Sequence, residues 1–248
     1  MSFEIAVLAV PNVQLLDVCG PLDVFAEANR LMKRRVYRAT IMSIDSATVT
    51  ASSGVRLTAD IQLKDAKEYL PDTFLVAGSP GIEDFEPDDE LIAKITTICH
   101  GSRRYGSVCS GALLLALTGL LSGKRITTHW AYAGKLTTKY PDIIVNADAL
   151  YVQDERLRTA AGVTSGLDLA LRLVEEDLGR EVALEIAAQL VMFFRRPVNQ
   201  THFMRGSSIS VSGRTAFQEL QRWVITNIDM VRTVSQMAEH LDISERHL

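Results

Sequence analysis

Short apolar runs alternate along the chain with longer segments whose apolar residues recur every three or four positions. This alternation holds for almost the first 180 residues. Residues 3–10 are nearly all apolar, the mark of a strand buried on both faces of a parallel sheet. Pro11 and Asn12 end that run. Residues 16–33 read as a helix with Leu22, Phe25, Ala26 and Leu31 along one side. Further strands are expected at 37–44, 73–77, 104–108, 143–146, 150–153 and 157–160. A hairpin over 49–58 turns on Ser52-Ser53-Gly54. Helices are expected at 88–100, 111–121, 130–140 and 163–178, stopped in turn by Gly123, Pro141 and Gly179. Strands and helices in this order predict an α/β protein, a three-layer sandwich around a mainly parallel sheet.

The pattern changes after Gly179. One more helix is expected at 180–194, and then residues 195–213 turn polar and rich in turn formers. The expected organisation is a ligand-sensing domain over 1–194, a linker over 195–213 and a helical segment over 214–248. Within the last segment, helices are expected at 216–227 and 233–241.

Composition narrows the classes. A 248-residue chain with 47% hydrophobic residues can bury a real core, and its formal net charge of −4 excludes a molecule that is basic throughout. No apolar run is long enough to span a bilayer, so no membrane partner is expected. The first residues run straight into a strand with no basic start. Cys19, Cys99 and Cys109 show no paired spacing, and the expected compartment is the cytoplasm. His100, His202, His240 and His247 show no ligand spacing with carboxylates or cysteines, so neither a metal nor a cofactor is expected.

The chemistry concentrates at Tyr105-Gly-Ser-Val-Cys109-Ser-Gly-Ala. A strand delivers a cysteine, and Ser110, Gly111 and Ala112 are small enough for the sharp turn into the next helix. That is a nucleophile elbow, and a helix N-terminus beside the sulfur favours thiolate. Cys109 is the candidate nucleophile, with a buried small hydrophobe as its other reading. Asp17 follows the first strand and would face Cys109 at the carboxyl edge of the sheet, or cap the helix that starts there. His129 could reach the sulfur, or be satisfied at a strand end. Gly78, Ser79 and Gly81, with the Ser110 N–H, could bind a ligand oxygen, or form an ordinary turn.

At the other end, Val234, Met237, Ala238 and Leu241 share one helix face. Residues 242–244 form a turn with Ser244 as N-cap, and Glu245, Arg246 and His247 open a second helix. This is either the entry to a DNA-reading helix-turn-helix or a plain helical hairpin. From Arg214 onward, four arginines face five acidic residues, so no basic face is available for phosphates.

Several segments together resemble the ThiJ/PfpI superfamily: Leu16-Asp-Val-Cys-Gly-Pro-Leu-Asp-Val-Phe25, Val76-Ala-Gly-Ser-Pro-Gly81, the elbow, and Gly119-Leu-Leu-Ser-Gly-Lys-Arg-Ile-Thr-Thr-His-Trp130. Ala161-Gly-Val-Thr-Ser-Gly-Leu-Asp-Leu-Ala170 and Glu176-Asp-Leu-Gly179, followed by Arg195-Arg-Pro, extend the likeness. It is closer to the GlxA-type branch of the AraC-family regulators, in which such a domain precedes an AraC-type helix-turn-helix domain. The resemblance implies a flavodoxin-like fold related to class I glutamine amidotransferases, a homodimer and a small-molecule effector. It also implies a non-catalytic sensing pocket at Asp17, Cys109 and His129. AraC-type domains carry two helix-turn-helix units, so 214–248 is expected to be the incomplete first part. DNA is then a partner of the full-length protein, bound weakly or not at all by this chain. The isonitrile hydratase family, built on the same domain, shares a cysteine and an aspartate at the positions of Cys109 and Asp17. It implies the alternative, a cysteine-dependent hydrolase or hydratase. PfpI-type proteases carry histidine after the cysteine, where this chain has Ser110. A redox or electrophile sensor working through Cys109 is a third expectation.

Overall fold

The computed structural model describes residues 2–66, 69–196, 199–203, 220–221, 223–227, 233–241 and 243–246. The chain divides into two compact units, Met1–Arg195 and Arg196–Leu248.

In the first unit the strands are β1 (Phe3–Ala9), β2 (Tyr37–Ser43), β3 (Thr48–Thr50), β4 (Arg56–Thr58), β5 (Ile61–Gln62), β6 (Thr73–Val76), β7 (Arg104–Val108), β8 (Arg125–Ile126), β9 (Ile144–Val145), β10 (Tyr151–Asp154) and β11 (Leu157–Ala160). Seven of them form the main sheet in the order β10-β11-β7-β6-β1-β2-β5. It is parallel throughout except for β10, which runs antiparallel at one edge. The strand order reverses at β1. Loops after β1 and β6 therefore diverge at the carboxyl edge, where open α/β sheets form their crevice. The fold is the α/β sandwich the pattern predicts, and it is flavodoxin-like as the resemblance implies.

The helices are α1 (Leu15–Met32), α2 (Asp89–Gly101), α3 (Gly111–Ala116), α4 (Trp130–Lys139), α5 (Ser165–Leu178) and α6 (Arg180–Gln189). Alternate residues of each strand feed two separate cores. Ile5, Val7 and Ala9 of β1 pack with Val24, Phe25, Leu169 and Leu173 on the α1/α5/α6 face. Ala6 and Leu8 pack with Ile95, Ile98, Leu115 and Leu136 on the α2/α3/α4 face. Burial on both faces is why the strands read as continuous apolar runs rather than alternating ones.

Boundaries differ from expectation where backbone geometry intervenes. The helix after Cys109 ends at Ala116 rather than residue 121, and α6 ends at Gln189 rather than 194, with Val191 in the left-handed region (φ 53°). The segment at 143–146 pairs only with β8 and not with the main sheet. Asp88 caps α2 by accepting from the Leu91 N–H at 2.8 Å.

The amino-terminal edge of the sheet carries a buried ionic network. Arg104, the first residue of β7, is 2% exposed. It donates to Asp177 Oδ2 (2.5 Å) and Oδ1 (3.1 Å) and, through Nε, to Thr73 Oγ1 (2.7 Å). Arg103 adds a bond to Asp177 at 2.8 Å, Arg158 binds Glu176 at 3.1 Å, and the Tyr37 hydroxyl donates to Asp177 at 3.1 Å. Burial and the neighbouring Asp177 push the Tyr37 phenol well above its ordinary range.

In the second unit α7 (Val234–His240) opens on a full capping box, Thr233 and Gln236 bonding each other's backbone N–H. Ala238 is buried, and the Trp223 and His240 rings stack at 4.1 Å, 8° from parallel. The linker expected at 195–213 and the turn residue Asp242 lie largely or wholly outside the described residues.

Candidate functional site

Strand β7 runs straight into Cys109, whose φ of 59° lies in the left-handed region. A non-glycine residue is strained there, and such strain persists only when neighbours over-determine it. Those neighbours are visible. The Cys109 N–H donates to the Ala160 carbonyl at 3.0 Å, and the Thr128 hydroxyl donates to the Cys109 carbonyl at 2.8 Å. Ser110 and Gly111 then start α3, and Gly111 lies so close to the Val76 carbonyl that a β-carbon would sit 2.1 Å from its oxygen. This is the elbow the sequence predicts.

Asp17 lies beside it, fully buried, in the first turn of α1. It is not the helix cap, since Gln14 holds that position. Its side chain points inward instead. Oδ1 accepts from the Val163 N–H at 2.7 Å and Oδ2 from the Gly78 N–H at 3.1 Å. Burial pushes the carboxyl up to about 7, against the pull of those two N–H bonds and of the Cys109 thiol. The Cys109 thiol is itself raised well above its usual range, first by burial, then by the Asp17 charge. The Ser110 N–H lowers it, but less than burial and the Asp17 charge raise it. Asp17 and Cys109 therefore form one buried acid pair that resists losing both protons at neutral pH. Burial and the Asp17 charge oppose the thiolate that the helix N-terminus favours.

Two glycines make room for this pair. A β-carbon on Gly78 would lie 2.7 Å from Cys109 Cβ and 2.8 Å from Asp17 Oδ2. A β-carbon on Gly162, whose φ is +113°, would lie 2.6 Å from the Cys109 sulfur. Val163, the next residue, is also left-handed (φ 51°) and is held by its bond to Asp17. Gly162, Val163 and Thr128 had no assigned role in the sequence, because their contribution is backbone position rather than side-chain chemistry.

The oxygen-binding loop is built differently from expectation. The Gly78 N–H is committed to Asp17 and the Ser79 N–H to Ser110 Oγ at 3.0 Å. The Ser110 hydroxyl donates back to the Ser79 carbonyl at 3.0 Å. Gly81, at φ +77°, caps a 3-10 turn at Ile82–Asp84. So Gly78, Ser79 and Ser110 stand at the site, their donors already engaged, while Gly81 serves the turn.

His129 caps α4. Its Nδ1 accepts from the Ala131 N–H at 3.3 Å, and burial lowers its pKa. Among the described residues no hydrogen bond joins it to Cys109. Its ring lies 5.1 Å from Trp130 and 6.1 Å from Tyr132. Tyr132, whose phenol is raised by burial and by the nearby Cys109, is a neighbour that sequence reasoning missed. Cys19, half-buried in α1, and Cys99, buried in α2, stand apart from the site.

Of the residues expected to read DNA, Glu245 and Arg246 lie in a turn rather than a helix, Ser244 precedes them, and His247 lies outside the described residues. Among the described residues no helix is long and apolar enough to cross a membrane, and no cluster of metal ligands occurs.

The family model for the DJ-1/PfpI family matches residues 4–176. Isonitrile hydratase from Pseudomonas putida is 35% identical over 190 residues, 77% of this chain and 78% of the relative. The HTH-type transcriptional regulator GbdR from Pseudomonas aeruginosa is 26% identical over 247 residues, 99% of this chain but 66% of the regulator. Among solved structures, an AraC family transcriptional regulator from Pseudomonas putida superposes with a TM-score of 0.66 at 21% identity, covering 76% of this chain and 99% of that one.

Proposed function

We propose that this chain, which belongs to the DJ-1/PfpI family, is the sensing part of an AraC-type transcriptional regulator. The observation that carries the reading is the extent of the match to GbdR. At 247 residues it runs across both compact units, whereas the match to isonitrile hydratase stops at 190. The Asp17–Cys109 pair is the sensor. It is buried, strained and wired by backbone bonds to the loops at Gly78 and Val163, so a ligand there acts on the loop that leads into α5. Tyr132, close enough to Cys109 to feel its charge, and the His129 ring 6.1 Å from it would select the effector's shape. Binding shifts the balance between two arrangements of a homodimer and so alters the base-reading contacts, which belong to the second unit. The cytoplasm is the matching compartment.

Attack would need the thiolate, which burial and the Asp17 charge oppose. Two measurements test the regulator reading. Capture of genomic fragments with the native regulator in its own cell should enrich discrete promoters, and the Cys109→Ala variant should lose the effector-dependent change in that enrichment. Absence of any enriched promoter removes the reading. The similarity to isonitrile hydratase together with the matched Asp17 and Cys109 supports a second reading, addition of water to an isonitrile to give an N-substituted formamide. Formamide produced by the wild type and abolished in Cys109→Ala would put that reading first.

A further inference from the structure

One stretch of the surface departs from the charge pattern of the rest. Between Glu27 and Asp45 the chain has no acidic residue, yet it has Arg30, Lys33, Arg34, Arg35 and Arg38. The local charge is thus +5 in a chain whose total is −4. The run sits on the turn between α1 and β2, at the amino-terminal edge of the sheet and away from the carboxyl edge that holds Cys109. Lys33 occupies the left-handed C-cap of α1 (φ 51°), and the Lys33 and Arg34 N–H groups close the helix on Arg30 and Asn29. Those backbone bonds fix the turn, so its side chains are presented from a rigid base.

Elsewhere in this unit most cations have an acidic partner. Arg103 and Arg104 bind Asp177, Arg158 and Arg172 bind Glu176 and Glu175, and Lys94, Lys124 and Lys135 bind Glu90, Glu155 and Glu83. Within the basic stretch, Arg30 pairs with Glu27 and Arg38 stands 3.8 Å from Glu4. Lys33, Arg34 and Arg35 are exposed and, among the described residues, form no ion pair. Helix-dipole compensation at the end of α1 accounts for one cation in the last turn, and Arg30 already supplies it. Three consecutive unpaired cations repel one another and gain nothing internally. They are placed to meet an external polyanion whose charges repeat at short spacing, as phosphates do along a duplex.

We propose that the Lys33-Arg34-Arg35 turn, extended by Arg38, is a sequence-independent contact for the phosphate backbone of duplex DNA. Through it the sensing unit itself rests on DNA while a separate element reads the bases. This rests on the regulator reading above, and it places weak DNA affinity in the unit that sequence reasoning assigns only to the effector.

The test uses the whole chain and an arbitrary duplex of about 30 base pairs, because phosphate contacts carry no sequence information. Affinity is followed from about 50 mM to about 200 mM salt, where each neutralised phosphate contributes roughly 0.9 to the slope of log K against log salt. Wild type should bind weakly and steeply. Lys33→Gln/Arg34→Gln/Arg35→Gln should flatten the slope by about 3, while Arg56→Gln, an exposed cation on the β3–β4 hairpin, should leave it unchanged. All four side chains are exposed, so both variants should melt with wild type. An equal slope in the triple variant, or no binding by wild type at the lowest salt, overturns the proposal. So does unchanged duplex binding accompanied by lost retention on polyglutamate, which reassigns the run to an acidic protein partner. Failure here with promoter enrichment intact leaves the regulator reading standing. A slope difference without promoter enrichment removes the regulator reading alone.

Discussion

Strand β7 begins at Arg104 and ends against Cys109, and the two ends bury charge-bearing groups in opposite ways. At the amino-terminal edge, the Arg104 guanidinium meets Asp177, Glu176 and Thr73, with Tyr37 and Arg103 completing the set. Both signs are present, and the arrangement is self-contained. At the carboxyl edge, two acids, Asp17 and Cys109, lie buried together with backbone N–H groups and no cation in hydrogen-bond contact among the described residues. One end is neutralised by pairing, and at the other burial opposes the charged forms. The first arrangement stabilises a fold, whereas the second stores a response, because whatever changes the charge of the pair also changes the loops bonded to it.

The comparison can be broken outright at the middle of the strand. A β-carbon on Gly106 would fall 1.5 Å from the Arg158 carbonyl oxygen, a backbone atom that cannot give way. Gly106→Val should separate β7 from β11 and leave no folded protein at either end, measured as loss of the cooperative thermal transition. Arg104→Met should damage one end only. It strands Asp177, 1% exposed, without its main partner, and should cost about 3–5 kcal/mol in urea unfolding. The alkylation rate of Cys109 in the folded variant should stay at the wild-type value.

Asp17→Asn sharpens the contrast through pH. The folded carboxyl is raised to about 7 from an ordinary value near 3.8, so the folded state holds its proton more tightly than the unfolded chain. Its contribution is complete below about pH 4 and is lost as pH rises to about 7, an effect of at most about 4 kcal/mol. Wild-type stability should therefore fall relative to Asp17→Asn across that window, and parallel curves would exclude a raised carboxyl. The same variant removes a charge that raises the thiol, so Cys109 should be alkylated at lower pH than in wild type. Gly162→Ala is a local change that costs about 1–3 kcal/mol for the positive φ, with the clash against Cys109 added to it. It should nevertheless abolish effector binding by displacing the sulfur, read by calorimetry with the effector in hand.

The carboxyl edge was the more legible of the two. The elbow shows in sequence because small residues at 110–112 after an apolar strand admit few other geometries, and Asp17 is marked by its place after the first strand. The partners of Asp17 were hidden, since the Gly78 and Val163 N–H groups are backbone atoms brought together by topology. His129 was visible as a residue type, but its role as the cap of α4 depends on where that helix starts. The amino-terminal network was invisible. Arg104, Asp177 and Tyr37 are separated by up to 140 positions, and each reads as an ordinary surface residue until the sheet order is known. Helix ends failed for a local reason, because the apolar pattern after Ala116 and Gln189 continues past the point where the backbone turns.

The two tryptophans have a practical consequence. Trp130 lies beside His129 in the first unit, and Trp223 stacks on His240 in the second, one indole in each. Intrinsic fluorescence therefore separates the units without any label. Trp223→Phe leaves emission that follows effector binding, and Trp130→Phe leaves emission quenched or released as the His240 stack forms or opens. A signal that passes from one unit to the other would be seen as an effector-dependent change in the Trp223 band of a chain whose first unit is optically silent.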